Sequence, residues 1–257
     1  MGNLVKRTFR AALVVLTLTP TLGMSQDFNA GLEAAQAGDF STAVKEWMPL
    51  AQKGDPFAQR NLGVIYYNGL GVSQDYAEAA KWYRLAAKKG FADAQTSLGF
   101  MYSQGDGVPQ DYAEAAKWYR LAAQQGFADA QTNLGVMYDN GTGVPQDYAE
   151  ALKWYRLAAK QGDAGAQYNL GVMYDNGTGV PQDYAEAVKW YRLAAKQGDA
   201  GAQTNLGVKY GNGTGVPQDY IAAHMWCNIA ASLGNKVAIS NRDLIARKMQ
   251  PADVSEA

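Results

Sequence analysis

The ten-residue segment 139–148, DNGTGVPQDY, places an aspartate and an asparagine beside glycines and returns unchanged at 175–184. Carboxylate and amide oxygens beside glycine occur in calcium loops, and glycine-rich turns can cradle a phosphate. Three further copies keep both glycines but vary at the first residue, so a carboxylate stands there in only two of the five copies: Tyr67, Ser103, Asp139, Asp175 and Gly211. Calcium requires about six to eight oxygen ligands, whereas glycine is needed wherever φ is positive. The pattern therefore predicts a turn, with no metal site and no cofactor.

His224 and Cys227 stand three residues apart and are the pair that could act as base and nucleophile. Their counterparts 36 residues earlier are Val188 and Tyr191, which favours interior positions on a packed helix for both. No third group that would orient the histidine is evident, and the sequence contains no S-x-x-K motif for a serine nucleophile. The residues therefore predict a protein without catalytic activity.

Charge and cysteine content restrict the partners and the source of stability. The 257-residue chain carries 23 Lys and Arg against 24 Asp and Glu, a balance that gives no long-range attraction to a phosphate backbone. Cys227 is the single cysteine, so no internal disulfide can form. Nucleic acid is therefore not a predicted partner, and we expect the fold to be stable through packing alone.

Residues 1–25 have the organisation of a secretory signal peptide. Three basic residues precede an apolar run over 11–18, and Gly23 and Ser25 put small residues at the cleavage site. The apolar run is too short to span a bilayer core of about 30 Å, although an uncleaved anchor is the alternative interpretation. We expect cleavage after Ser25, export to the periplasm or outside the cell, and no stable membrane insertion of the mature protein.

A repeat of 36 residues extends over most of the segment 39–234. The tryptophans and the glycines that follow them coincide under this shift: Trp82, Trp118, Trp154, Trp190 and Trp226, with Gly90, Gly126, Gly162, Gly198 and Gly234. A period of this length indicates stacked helix pairs, each of which buries its apolar face only against a neighbour. We expect thirteen helices, as six pairs and a closing helix, in an all-α domain over 26–250 with a short tail over 251–257.

The repeat 130–162 shows how one unit is expected to fold. Its first helix presents an apolar stripe at i, i+4, i+7 and i+8: Ala130, Leu134, Met137 and Tyr138. On the same helix, Gly135 lies where a side chain would hold a neighbouring backbone away. The second helix starts at the N-cap Asp147, ends before Gly162 and carries Trp154 at the seam between repeats. Its remaining face bears a basic ladder that we interpret as solvated: Lys153, Arg156 and Lys160.

The two ends depart from the regular repeat. Residues 28–36 and 39–52 predict a degenerate first pair, in which Trp47 lies one place later than the other tryptophans. Residues 236–249 predict a closing helix whose apolar side chains point inward: Val237, Leu244 and Ile245. End units of a repeat protein need a polar outer face, which the closing helix supplies.

The pattern AxxxLGxxYxxGxGVxxDxxxAxxWYxxAAxxG, present at 130–162 and again at 166–198, resembles the Sel1-like repeat, a relative of the tetratricopeptide repeat with a longer inter-helix loop. The resemblance covers about 27–249. It implies a right-handed α-α superhelix, or solenoid, that works as an adaptor or assembly scaffold and has no chemistry of its own. Exported bacterial members are linked to the cell envelope or to contact with host cells. A cysteine-rich branch described as β-lactamase-like staples each repeat with a disulfide, a framework that this chain lacks.

Four positions of each first helix face away from the apolar stripe, and they vary from copy to copy. We predict that these side chains line a concave groove that binds a protein or peptide partner: Arg60, Val64, Tyr67, Asn68, Thr96, Phe100, Ser103, Gln104, Thr132, Val136, Asp139, Asn140, Tyr168, Val172, Asp175, Asn176, Thr204, Val208 and Asn212. Tyr67, Phe100 and Tyr168 are the predicted anchors, because large aromatic side chains are the usual hot spots of an interface.

Two other functions are open from the sequence alone. One is a hydrolase of cell-wall or β-lactam substrates, as in the β-lactamase-like branch. The other is a glycan-binding module, which the 16 tyrosines and 6 tryptophans suggest. The regular spacing of the tryptophans favours a role in the core instead.

Overall fold

A computed structural model describes residues 26–249, and within them it contains thirteen α-helices and no β-strand. The helices are α1 (Gln26–Gln36), α2 (Phe40–Gln52), α3 (Pro56–Asn68), α4 (Tyr76–Lys88), α5 (Ala92–Gln104), α6 (Tyr112–Gln124), α7 (Ala128–Asn140), α8 (Tyr148–Lys160), α9 (Ala164–Asn176), α10 (Tyr184–Lys196), α11 (Ala200–Asn212), α12 (Tyr220–Ser232) and α13 (Lys236–Ala246). The predicted six pairs and closing helix are confirmed. The predicted signal peptide and tail lie outside the described residues. None of these thirteen helices is long and apolar enough to cross a membrane.

The helices form two compact units. The first contains α1 to α6, residues 128–130 of α7 and the loop segment 142–144. Two clusters of buried side chains lie in this unit, one around Trp47 and Leu62 and the other around Tyr83 and Leu98. Each of the two contains side chains from neighbouring helix pairs, as expected for stacked repeats.

The second unit contains the rest of α7 and α8 to α13. Tyr191 of α10 and Leu206 of α11 lie in one buried cluster. Cys227 of α12 and Ile245 of α13 lie in another, so the closing helix contributes to the core of the last repeat.

Local hydrogen bonds fix both ends of each second helix. The carboxylate of Asp147 accepts bonds from the backbone N–H groups of Ala149 (2.9 Å) and Glu150 (3.0 Å), which confirms the predicted N-cap. Gly162 follows the helix at a φ of 94°, a conformation that glycine adopts without steric cost. The helix boundaries predicted from capping residues are therefore confirmed.

The glycines of the inter-helix loop turn a corner, as predicted. In the loop after α11, Gly213 and Gly215 have φ values of 67° and 77°. A Cβ atom on Gly215 would also overlap the carbonyl oxygen of Tyr184, at the start of the preceding second helix. Position 215 therefore requires glycine for two reasons, the left-handed backbone conformation and the close packing against Tyr184.

The close approach expected at the helical glycine is present, and at Gly135 the nearest neighbour is a ring. Gly135 faces the ring of Tyr155, not a neighbouring backbone, and a Cβ atom there would lie 2.7 Å from ring carbons. In the four repeats where a tyrosine follows the tryptophan, the tyrosine is the more deeply buried of the two: Tyr155 is among the largest fully buried side chains, whereas Trp154 keeps 8% of its surface exposed. The helical glycine makes room for this tyrosine ring.

The closing helix α13 presents a different face from the one predicted. Ala238 is fully buried and Ile245 is 8% exposed, but Val237 and Leu244 are 62% and 56% exposed. Asn235 caps the helix through the N–H groups of Val237 (3.0 Å) and Ala238 (3.1 Å), which fixes its rotational phase. Residues seven apart share a face, so Ala238 and Ile245 point inward together, while the residue before each is rotated by about 100°.

Candidate functional site

The residues of the predicted groove fall into four columns, one for each of the four positions on the first helices. The first column connects neighbouring first helices, and its members are Arg60, Thr96, Thr132, Tyr168 and Thr204. The guanidinium Nε of Arg60 donates to the carboxylate of Asp93 at 2.7 Å, and the hydroxyl of Thr132 donates to the carboxylate of Asp163 at 2.8 Å. Thr132 and its counterpart Thr204 are buried, and Thr204 donates to a carbonyl of its own helix. The expectation that these two threonines project to an exposed face is therefore wrong, because both side chains are buried.

The second column is half-buried at four of its five positions and buried at the fifth. Val64 and Val172 pack against the core clusters of their units. Phe100, a predicted anchor, is only 5% exposed. Its predicted orientation toward a partner is wrong, since its ring already lies inside the fold.

In the third column the side chains are hydrogen-bonded within the fold. The hydroxyl of Tyr67 donates to Asp106 at 3.0 Å, and its ring centroid lies 5.0 Å from that of Tyr76. Burial and the carboxylate of Asp106 raise the pKa of Tyr67 far above its usual range. Ser103 is buried and donates to a carbonyl of its own helix. Its predicted place in the groove is wrong for the same reason as that of the buried threonines.

The two aspartates of this column accept hydrogen bonds from the buried tyrosines of the second helices. Tyr155 donates to Asp139 at 3.5 Å, and Tyr191 donates to Asp175 at 3.3 Å. Burial raises the pKa of Asp139, and burial together with the Asp139 carboxylate raises that of Tyr155. These carboxylates are parts of the packing between helices.

The fourth column carries the side chains that remain accessible. Asn140, Asn176 and Asn212 are exposed at the ends of α7, α9 and α11, whereas Asn68 and Gln104 are half-buried. Tyr168 is also half-buried, with its ring centroid 6.1 Å from that of Tyr191, and burial raises its pKa. The predicted set thus contains an accessible row of asparagines and several side chains that serve the fold.

The basic ladder of α8 is exposed at all three residues, in agreement with its interpretation as a solvated face. Lys153 lies 3.1 Å from Glu150 on this surface. Arg156 also donates through Nη2 to the hydroxyl of Tyr174 at 2.8 Å, which links α8 to α9. The arginine position therefore has a structural role.

The pair His224 and Cys227 lies inside the fold. Cys227 is fully buried with its Sγ against Gly207, and His224 is 8% exposed. Burial raises the pKa of the Cys227 thiol to about 11, so the thiol is protonated at neutral pH and is a weak nucleophile. Residues 26–249 contain no group of three or more His, Cys, Asp or Glu side chains that could hold a metal ion.

A buried cation was missed by the sequence analysis. Lys209 forms an ion pair with Asp175, and its Nζ lies 4.5 Å from the centroid of the Tyr184 ring. The signal was available, since the lysine stands where the three preceding copies have methionine: Met101, Met137 and Met173. This ion pair joins α9 to α11.

One cavity of about 160 Å³ lies between α11, α12 and α13. It is lined by Val208, Gly211, Asn212, Tyr220, Asn241, Leu244, Ile245 and Lys248. Two of these residues, Val208 and Asn212, belong to the predicted groove. The sequence analysis did not anticipate a cavity, because its walls come from three separate helices.

Comparison with known proteins agrees with this geometry. The Sel1 repeat family model matches residues 56–91, 92–127, 128–163, 164–199 and 200–235. The comparison with curated proteins found no match.

Solved structures with the same fold come from several bacteria. A protective antigen of uropathogenic Escherichia coli strains that displays an SLR fold is 37% identical with a TM-score of 0.82, over 90% of this chain and 51% of that one. This chain therefore spans about half the length of that relative. A Sel1 repeat protein from Oxalobacter formigenes is 37% identical with a TM-score of 0.80, over 85% and 87% of the two chains. An immunity protein from Pseudomonas aeruginosa, 21% identical over 84% and 85% with a TM-score of 0.51, shares the fold alone.

Proposed function

Because this chain belongs to the Sel1 repeat family, we propose that it is a non-enzymatic scaffold, exported to the cell envelope or outside the cell, that binds a protein or peptide partner. Sel1 repeat proteins are typically protein-interaction scaffolds. One contrast carries the proposal. Caps, glycines and tyrosines recur along the repeats and hold the helices together, whereas the accessible positions of the first helices take no part in that packing.

The accessible row supplies the contact surface of the second unit. Asn140, Asn176 and Asn212 are exposed, and Val172 and Val208 lie half-buried one helical turn earlier. A carboxamide both donates and accepts hydrogen bonds, which suits the backbone of an extended peptide. The valines add apolar area beside it, so this row can bind a polypeptide without a charged recognition group.

The burial of the candidate chemical groups supports a non-enzymatic role. His224 and Cys227 lie within the packed helix pair, and burial keeps the Cys227 thiol protonated. Trp82 and Trp154 are buried, so neither offers a flat exposed ring for a sugar to stack on. No specific observation favours the hydrolase or the glycan-binding alternative.

The experiment is capture of a partner from an envelope extract with the purified protein, followed by binding measurements on the captured partner. Asn176→Arg combined with Asn212→Arg adds bulk to the exposed row, and we expect it to weaken binding at least tenfold, about 1.4 kcal/mol. Ala149→Arg combined with Ala185→Arg is the matched control, because both alanines are exposed on second helices. Loss of binding only in the control pair would contradict the proposed surface.

Catalysis is tested separately on the same purified protein. Hydrolysis of a β-lactam or of cell-wall fragments, abolished by substitution of a residue in this chain, would overturn the non-enzymatic proposal. We expect no turnover above that of the heat-unfolded protein.

A further inference from the structure

The seam between α9 and α11 contains a carboxylate, a cation and a ring in contact. Asp175 of α9 pairs with Lys209 of α11, and the ammonium lies 4.5 Å from the centroid of the Tyr184 ring. Both charged side chains are mostly buried, at 19% and 11% exposure. Such a cation is stabilised by the carboxylate and by the face of the ring together.

The next seam, between α11 and α13, repeats the ring and the cation but lacks the carboxylate. Tyr220 stands at the position of Tyr184, and Lys248, two residues beyond the end of α13, places its Nζ 5.8 Å from the centroid of the Tyr220 ring. Unlike Lys209, Lys248 is exposed. The counterpart of Asp175 is Gly211. No salt bridge of Lys248 occurs within residues 26–249.

The absent side chain leaves a cavity. Its volume is about 160 Å³, and its walls include the apolar side chains of Val208, Leu244 and Ile245. Lys248, Asn212 and Asn241 are its nitrogen-bearing members. The cavity therefore combines an apolar interior with hydrogen-bond donors and a positive charge.

The fold does not require glycine at position 211. Gly211 is absent from the positive-φ residues of the described chain, and a Cβ there would lie 3.7 Å from Ala223 Cβ and from Ile245 Cδ1, which is ordinary contact. By contrast, a glycine inside a helix is less stable than alanine by about 1 kcal/mol. Glycine at position 211 can therefore serve to leave space for a ligand.

We propose that the cavity binds a peptide segment in which a carboxylate, from aspartate or glutamate, lies next to an apolar side chain of leucine size. The carboxylate pairs with Lys248 as Asp175 pairs with Lys209, and the apolar side chain fills the space beside Gly211. This inference rests on the proposed scaffold function and names the class of peptide that the last repeat recognises.

The test is an NMR titration of the purified, ¹⁵N-labelled protein with capped probe peptides. The probes are acetyl-Gly-Leu-Glu-Gly-amide, a neutral counterpart with Gln in place of Glu, and a truncated counterpart with Ala in place of Leu. We expect saturable shifts of the Gly211 amide and the Asn212 and Asn241 side chains. Each uncharged or truncated probe should bind at least fivefold more weakly, about 1 kcal/mol.

Three variants assign the contacts. Lys248→Met should weaken the Glu peptide at least fivefold without affecting the Gln peptide, whereas Lys236→Met, at an exposed lysine that begins α13, should leave both unchanged. Gly211→Tyr, the residue that the first copy has as Tyr67, should fill the cavity and abolish binding. If that variant does not fold, Leu244→Glu supplies a carboxylate within the chain and should block the peptide in the same way.

Several results would overturn the inference. These are equal binding of the Glu and Gln peptides, retained binding in folded Gly211→Tyr, or an equal effect of Lys236→Met and Lys248→Met. Shifts of the same amides caused by Asp253→Asn and Glu256→Gln without peptide would show that the chain's own carboxylates occupy the site. If partner capture depends on Asn176 but none of the probe peptides binds, this inference is contradicted and the proposed function stands.

Discussion

The ring of Tyr155 lies directly against Gly135, so close that a Cβ atom on the glycine would come within 2.7 Å of two ring carbons. The same contact recurs between Gly171 and Tyr191, where a Cβ would lie 2.5 Å from the ring. This pairing brings the first helix of a repeat close to the second helix and buries the tyrosine. It is a close contact that recurs in the framework, and it sets the first prediction.

Gly135→Ala should destabilise the protein by about 2 kcal/mol, because overpacking a tight contact costs about 1–3 kcal/mol. The matched control is Gly211→Ala, whose Cβ would meet ordinary contacts of 3.7 Å. That control should be more stable than the wild type by up to about 1 kcal/mol, through helix propensity. Urea unfolding followed by circular dichroism measures both, and equal shifts would contradict the packing of Tyr155 against Gly135.

Trp154→Ala should cost about 3 kcal/mol or more, since it removes a large buried aromatic side chain. Asp147→Ala removes an N-cap that bonds two backbone N–H groups and should cost about 1 kcal/mol. Thermal melts of the two variants give the order directly. The reverse order would mean that Trp154 does not pack as it does in this structure.

Lys209→Met should destabilise the protein by about 1–3 kcal/mol, because Asp175 would stay buried without its cation. When Asp175→Ser is added, the two positions carry the serine and methionine that stand at the equivalent positions 103 and 137. We expect this double variant to recover most of the lost stability. A double-mutant cycle in denaturant measures the coupling. Additive effects would show that the two side chains do not interact.

The buried thiol of Cys227 should make stability depend on pH in the alkaline range. Its pKa is raised by burial to about 11 in the folded protein, whereas an exposed thiol ionises near about 8.5. Between these values the unfolded chain binds fewer protons, so the free energy of unfolding falls as pH rises. The stability difference between the wild type and Cys227→Ala should be independent of pH below about 8, and the wild type should then lose stability relative to the variant from about pH 9 to about 11. A constant difference across this range would mean that the thiol is not buried.

We predict cleavage after Ser25 from the basic, apolar and small-residue regions of 1–25. Sequencing the amino terminus of the protein purified from its native compartment should begin at Gln26. As a control, replacing Leu16 with Arg interrupts the apolar run and should leave the chain uncleaved. Wild-type protein that retains Lys6 and Arg7 would show that the interpretation as a signal peptide is wrong.

The helix boundaries could be predicted because their causes are local. Asp147 caps the backbone two and three residues ahead of it, and Gly162 has positive φ directly after its helix. Both depend on residues within one turn, which a single sequence displays. The period of 36 residues then allowed each assignment to be checked against the other copies.

The exposed face could not be predicted with the same success. Helix geometry places Thr132 away from its own helix's apolar stripe, but its hydroxyl bonds Asp163, 31 residues further on. Likewise Phe100 is buried, although it occupies the same position of the repeat as Val136 and Val172, which are half-buried. Periodicity describes one helix, whereas burial here depends on a second neighbour in the next repeat.

By itself, the sequence determined the number of helices, their capped ends and the glycines that turn each corner, because these features depend on contacts within a few residues along the chain. Only the tertiary structure decided which side chains stay accessible, since that depends on how helices from successive repeats pack side by side. It placed Tyr155 against Gly135, paired Lys209 with Asp175 and turned Ile245 inward while Leu244 remained exposed. Successive residues of a helix point about 100° apart around its axis, so turning the helix by one residue would exchange a buried side chain for an exposed one. The packing between helices fixes this orientation.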